Sequence, residues 1–181
     1  MINENTPLRT AYSENWETFL RNEDHNPYIK TMLEYMKDIG GHIIDIGSGD
    51  SQYMQTWAEE ADLTYVPVDE KLSDTHKSYA PDNKIHPIES NALNLTSVPY
   101  LSSILTNKQH AHFAVNGLDG ASTKWSDEEV EEFIFATIQI MQPGDYIFGV
   151  GSPDIQQMIV SQSNGFDTIY QTEQFFIAKK R

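Results

Sequence analysis

The sequence predicts an α/β fold, an open and mostly parallel sheet of seven strands with helices on both faces. Three observations predict it. Apolar strand-like runs alternate with amphipathic helical stretches along most of the 181 residues, the pattern of successive βαβ units. The first of these runs, His42 to Ile46, ends in the turn Gly47-Ser48-Gly49, and glycines directly after a strand let backbone N–H groups approach a ligand because no Cβ intervenes. Two final runs, Phe166 to Tyr170 and Gln174 to Lys179, close the chain as a hairpin, which can finish a parallel sheet with one antiparallel strand.

The elements follow in order. Tyr12, Trp16, Phe19 and Leu20 recur at helical spacing and suggest a short amphipathic helix near residues 13 to 21. A second helix is capped by Asn26, has Pro27 at its first position, carries Ile29, Met32, Leu33 and Met36 on one stripe, and stops at Gly40-Gly41. After the first strand and its turn, a helix from Gln52 to Ala61 places Tyr53 and Trp57 on one face. Leu63 to Val68 is the second strand and ends on Asp69; Lys71 to Asn83 reads as a short helix or loop; Lys84 to Glu89 is the third strand. A helix then starts near Pro99, with Leu101, Ile104 and Leu105 as its buried face, and Ala111 to Asn116 is the fourth strand. The loop 117 to 125 leads to Ser126-Asp-Glu-Glu129, a capping box opening a helix whose Val130, Phe133, Ile134 and Ile138 face the core. Tyr146 to Val150 is the fifth strand, and Ser152-Pro153 begins a last helix that Asn164-Gly165 ends.

Composition narrows the functional classes. At this length one domain is expected, residues 1–26 forming a helical lid over a core of residues 27–181. The absence of cysteine excludes disulfides and thiolate metal sites. No basic leader, and no apolar run near the roughly 18 residues of a membrane helix, is present, so the cytoplasm is the expected location. Twenty-seven acids against 12 bases give a formal net charge of −15, spread along the chain, which argues against a phosphate backbone as partner.

Asp69 stands twenty residues past Gly49, and a carboxylate there can accept both hydroxyl hydrogens of a ribose. Gln52 occupies the place of the third glycine of a dinucleotide fingerprint, and Asp45 lies two residues before the first glycine, where that fingerprint has no charge. His110 and His112 share one face of the fourth strand; a metal ligand or a base is conceivable, but no third ligand has matching spacing and a structural role fits better. His25, just before the second helix, is a further candidate base. Trp16 and Trp125 suit either core or substrate pocket.

Asp45-Ile-Gly-Ser-Gly49 resembles motif I of the class I S-adenosylmethionine (SAM) dependent methyltransferases, with Ser51 where many members have a further glycine. Later landmarks resemble the family in order: Glu89-Ser-Asn-Ala-Leu93 after strand three, Met141-Gln-Pro-Gly-Asp145 before strand five, and Asn164-Gly-Phe166 ahead of the hairpin. The resemblance implies a Rossmann-like sheet with SAM as cofactor. It places Asp45, Gly47, Ser48 and Gly49 at the methionine end, Asp69 with Glu70 at the ribose, and Asn91 and Ala92 at the adenine. Asn116 and Asp119 would line the reactive end, Asn116 touching the cofactor as well. In Phe113-Ala-Val-Asn-Gly117, Ala114 replaces an acid common in relatives. Two readings follow: a methyltransferase acting on a small molecule, with protein a less favoured substrate, or a SAM-binding regulatory or interaction protein without transferase activity. A nucleotide-dependent reductase is disfavoured by Asp45 and Gln52.

Overall fold

A computed structural model of the chain describes residues 26–49, 53–78, 84–115, 126–150, 165–172 and 175–181. Helix α1 (Asn26–Ile39) precedes β1 (His42–Ile46), and α2 (Tyr53–Glu60) links it to β2 (Thr64–Asp69). Short helix α3 (Asp74–Ser78) leads towards β3 (Ile88–Glu89), after which a 3-10 helix (Ala92–Ser97) and α4 (Pro99–Thr106) run back to β4 (Ala111–Val115). Helix α5 (Asp127–Ile140), β5 (Tyr146–Val150), β6 (Phe166–Gln171) and β7 (Phe175–Lys180) complete the described elements.

The seven strands form one sheet in the order β3-β2-β1-β4-β5-β7-β6. Pairing is parallel from β3 through β5, while β7 runs antiparallel to both β5 and β6. Beginning at β1, the chain winds outward through β2 and β3, then returns to the other side of β1 as β4. The switch point of the sheet therefore lies between β1 and β4, where open α/β sheets bind ligands at the carboxyl ends of the strands.

Side-chain alternation divides the core into two layers. Ile43, Tyr65, Ala114 and Phe148 pack under α1 and α2 with Met32, Met36, Met54 and Trp57. Ile44, Val66, Phe113 and Ile147 pack on the opposite face against Leu95, Leu101, Ile104, Phe133 and Ile134 of the 3-10 helix, α4 and α5. Gly149 is required by close approach, because a Cβ there would run into the Val115 carbonyl of the adjacent strand.

Local signals account for most boundaries. Helix α1 stops at Gly40, whose N–H donates to the Met36 carbonyl at 2.8 Å. The expected capping box forms at α5: Ser126 Oγ accepts from Glu129 N–H at 3.3 Å, and Glu129 Oε2 accepts from Ser126 N–H at 2.7 Å.

Two expectations need correction. Strand β3 is two residues long rather than six, preceded by an isolated bridge between Tyr65 and Ile85. Pro87 interrupts the ladder because it has no N–H to donate. Leu105 is 44% exposed: the face of α4 that packs is centred between Leu101 and Ile104, which at 100° per residue leaves Leu105 about 70° round the helix. Ile138 faces the core as expected, half-buried and packed against its margin. The proposed lid with Trp16 and His25, Ser51 and Gln52, the loop with Asn116, Asp119 and Trp125, and the last helix lie outside the described residues.

Candidate cofactor site at the switch point

The register aligns Ile46 with Val68 and with Val115, so three adjacent parallel strands end at one level. The chain leaves β1 through Gly47 at φ 70° and Gly49 at φ 56°, the left-handed region that favours glycine. For Gly49 the requirement is conformational, since an added Cβ would meet nothing nearer than the Gly47 carbonyl at 4.0 Å.

The turn is held from β2. Gly47 N–H and Ser48 N–H both point to the Val68 carbonyl, at 2.9 and 3.3 Å. Gly49 N–H donates to Asp69 Oδ2 at 3.0 Å, while Lys71 N–H donates to Asp69 Oδ1 at 3.1 Å. This corrects one expectation from sequence. The glycines were expected to aim backbone N–H groups at a ligand, but the N–H groups of residues 47 to 49 are taken up inside the fold. These three positions therefore do not form a cradle for phosphate.

Asp69 remains suited to a diol. A carboxylate has about four acceptor sites, and each of its oxygens here receives one backbone N–H, so acceptor capacity is left over. Around it the edge is acidic. Glu70 Oε1 accepts from Asn91 Nδ2 at 2.7 Å; Glu89 accepts from Leu72 N–H at 3.2 Å and pairs with Lys77 at 3.4 Å. Asn91 also caps the 3-10 helix, its Oδ1 accepting from Leu93 N–H at 2.8 Å, and Ala92 is buried behind it. Both ends of the Asn91 amide are thus engaged.

Asp45 lies beneath the turn and is 1% exposed. Its Oδ2 accepts from Tyr65 Oη–H at 2.9 Å. The Tyr65 hydroxyl is 3.5 Å from His76 Nε2, and His76 Nδ1 is 3.4 Å from Ser48 Oγ. Sequence reasoning missed Tyr65 and His76. Tyr65 reads as an ordinary apolar strand position, and only the parallel register of β1 with β2 brings it to Asp45.

The fold thus gathers Asp45, Gly47, Ser48, Gly49, Asp69, Glu70, Asn91 and Ala92 around the carboxyl ends of β1 to β3 and the turns that follow. Asn116 and Asp119 fall outside the described residues.

The strand-four histidines belong to the other end of the sheet. His110 Nδ1 pairs with Asp145 Oδ1 at 2.7 Å, and Asp145 Oδ2 accepts from Ala111 N–H at 3.1 Å and Gln142 N–H at 2.6 Å. Burial pushes the Asp145 carboxyl up, and these donors pull against it. His112 is wholly buried, and its Nδ1 accepts from Tyr146 N–H at 3.1 Å. Burial lowers its pKa to about 3; the Gly40 backbone opposes this, and the neighbouring His110 and His42 add smaller pulls downward. The ring is a neutral acceptor joining β4 to β5. Among the described residues no three His, Asp or Glu side chains converge as a metal site, and no helix is long and apolar enough to cross a membrane.

No protein-family model matches the sequence, and no curated protein matches it. Solved structures do match the fold. A provisionally named methyltransferase from Thermobifida fusca YX superposes with TM-score 0.62 at 15% identity, over 84% of this chain and 78% of that one. The N-methyltransferase NodS from Bradyrhizobium japonicum WM9, in complex with S-adenosyl-L-homocysteine (SAH), gives 0.54 at 11% identity over 94% and 97%. MycE, a methyltransferase of the mycinamycin biosynthetic pathway in complex with Mg and SAH, gives 0.56 at 10% identity; 86% of this chain spans 46% of MycE. Strand order, a glycine turn at the switch point and these neighbours agree: the chain has the class I methyltransferase fold.

Proposed function

We propose that the chain binds SAM at the carboxyl ends of β1 to β3 and transfers its methyl group to a small molecule. The observation that carries this reading is the inversion of polarity at the turn. The N–H groups of residues 47 to 49 are consumed, whereas carboxylates of Asp69, Glu70 and Glu89 gather at the same edge. Such a site suits a ligand that brings hydroxyls and positive charge, and it disfavours a dinucleotide pyrophosphate, which needs N–H donors.

SAM supplies an already activated methyl on a sulfonium, so positioning is the protein's main contribution. In this reading Gly47, Ser48 and Gly49 pass along the methionine end and Asp45 orients the turn from below. Asp69 accepts the ribose hydroxyls with Glu70 beside it, and Asn91 and Ala92 flank the adenine. Asn116 and Asp119 follow β4 and line the reactive end. The close succession of strands and helices leaves no room for an inserted domain, which favours a small acceptor, and a net charge of −15 disfavours nucleic acid. We place the protein in the cytoplasm on the same sequence grounds.

Isothermal titration with SAM, SAH and NAD tests the proposal. SAM and SAH should bind and NAD should not. Asp69→Ala should weaken SAH by tenfold or more, because charge-assisted hydrogen bonds contribute about 1.5–3 kcal/mol each and the variant also releases Gly49 and Lys71. Unchanged affinity in a folded variant sinks the ribose assignment.

One observation favours the second reading, SAM binding without transfer. Ala114 is fully buried among apolar groups beside Asp45 in the register, so β4 presents no acid there. Firm SAM binding with no labelled methyl passed to any class of acceptor would select it.

A further inference from the structure

We infer that His76, outside the glycine motif, is a positioning residue of the cofactor turn, holding Ser48 from one side while Tyr65 and Asp45 hold the ring from the other. The inference rests on the reading of this turn as the cofactor site.

Asp45, Ser48, Tyr65 and His76 come from β1, the turn, β2 and α3, and all four are at most 3% exposed. Burying four polar side chains is costly unless each finds a partner. The contacts accommodate a single chain of donors and acceptors. The Asp45 carboxylate only accepts, so Tyr65 Oη–H donates to it. The Tyr65 oxygen then has lone pairs to offer, which makes His76 Nε2–H the donor at 3.5 Å. In the tautomer this inference assigns, the ring is neutral with its proton on Nε2, so Nδ1 is the acceptor for Ser48 Oγ–H, 3.4 Å away. The two ring contacts are long, so their role is to set an orientation more than to add strength. Edge contact with Tyr65, centroids 5.9 Å apart at 63°, holds the imidazole plane.

The segment carrying His76 is itself anchored. Lys71 N–H is tied to Asp69, Leu72 N–H to Glu89, and His76 N–H donates to Ser73 Oγ at 3.2 Å. One continuous stretch, residues 69 to 76, therefore grips the turn twice: Asp69 takes Gly49 N–H and His76 takes the Ser48 hydroxyl. Between two glycines, which leave the backbone unusually free, Ser48 is the point where a side chain can fix the loop.

The test is SAH titration of the wild type, His76→Leu and His76→Asn, each with and without Ser48→Ala, alongside ¹H–¹⁵N spectra of the imidazole. The asparagine Oδ1 replaces Nδ1 as acceptor for Ser48, so His76→Asn should stay within about threefold of wild type while His76→Leu loses about tenfold. In the Ser48→Ala background the two should bind alike, since the partner that distinguishes them is gone. The spectra should show the proton on Nε2. Equal affinity of His76→Leu and wild type, no advantage of asparagine over leucine, or a proton on Nδ1 overturns the inference. If His76→Leu does not fold, the asparagine variant and the tautomer decide it. Wild-type protein that binds no SAH removes the cofactor reading itself, a failure distinct from variants that bind like a binding-competent wild type.

Discussion

Replacing His112 with asparagine should flatten the pH dependence of stability between pH 7 and pH 5. In the folded protein the ring is wholly buried and accepts from Tyr146 N–H, and its pKa is lowered to about 3. In the unfolded chain it returns to the ordinary histidine value of 6.5. A depressed folded pKa means that stability is fully present above the unfolded value and is lost as pH falls towards the folded one. From pH 7 to pH 5 the unfolded state gains a proton that the native state does not, worth about 2 kcal/mol. The result hardly depends on the folded pKa as long as that lies well below 5. His42, also lowered chiefly by burial, acts in the same direction, so the comparison must be with a variant. His112→Asn keeps an acceptor for Tyr146 N–H and removes the titration. Urea unfolding at both pH values and constant ionic strength should show the wild type losing about 2 kcal/mol more than the variant, or about 4–8 °C in Tm for a chain of this size. Equal losses would refute the placement of His112 as a buried neutral ring.

Other outcomes can be checked independently. Gly149→Ala drives a methyl into the Val115 carbonyl and should cost about 1–3 kcal/mol through overpacking; an unchanged urea midpoint would show that β4 and β5 are not so closely apposed. On the proposed function, Asp119→Asn should lower turnover while SAM affinity stays within about fivefold, whereas full turnover in that variant removes Asp119 from the reactive end. Fluorescence anisotropy with tRNA or duplex DNA should detect no tight complex, and a salt-sensitive nanomolar one would reverse the expected partner class.

Much of the fold was legible along the chain because its signals are local. Pro27 and Gly40-Gly41 bracket α1, Ser126 with Glu129 opens α5, and the alternation of apolar runs and helices fixes the class. Local patterns falter where neighbours decide. Lys84 to Glu89 has strand-like residues, but pairing with β2 and the missing N–H of Pro87 leave only Ile88–Glu89 as strand. Leu105 has the right spacing for a buried face, yet which sector of α4 is covered depends on where the sheet lies.

The same division runs through the site. By itself the sequence determined that a glycine turn follows a strand with Asp45 before it and Asp69 twenty residues on, because these are matters of order and spacing. Only the tertiary structure decided that Asp69 grips Gly49, that the N–H groups of residues 47 to 49 face inward, and that His76 and Tyr65 meet behind the turn. Those contacts join residues 11 to 28 positions apart, and hydrogen bonds between separate elements depend on strand register and side-chain direction, which emerge only once β1, β2 and α3 are packed together.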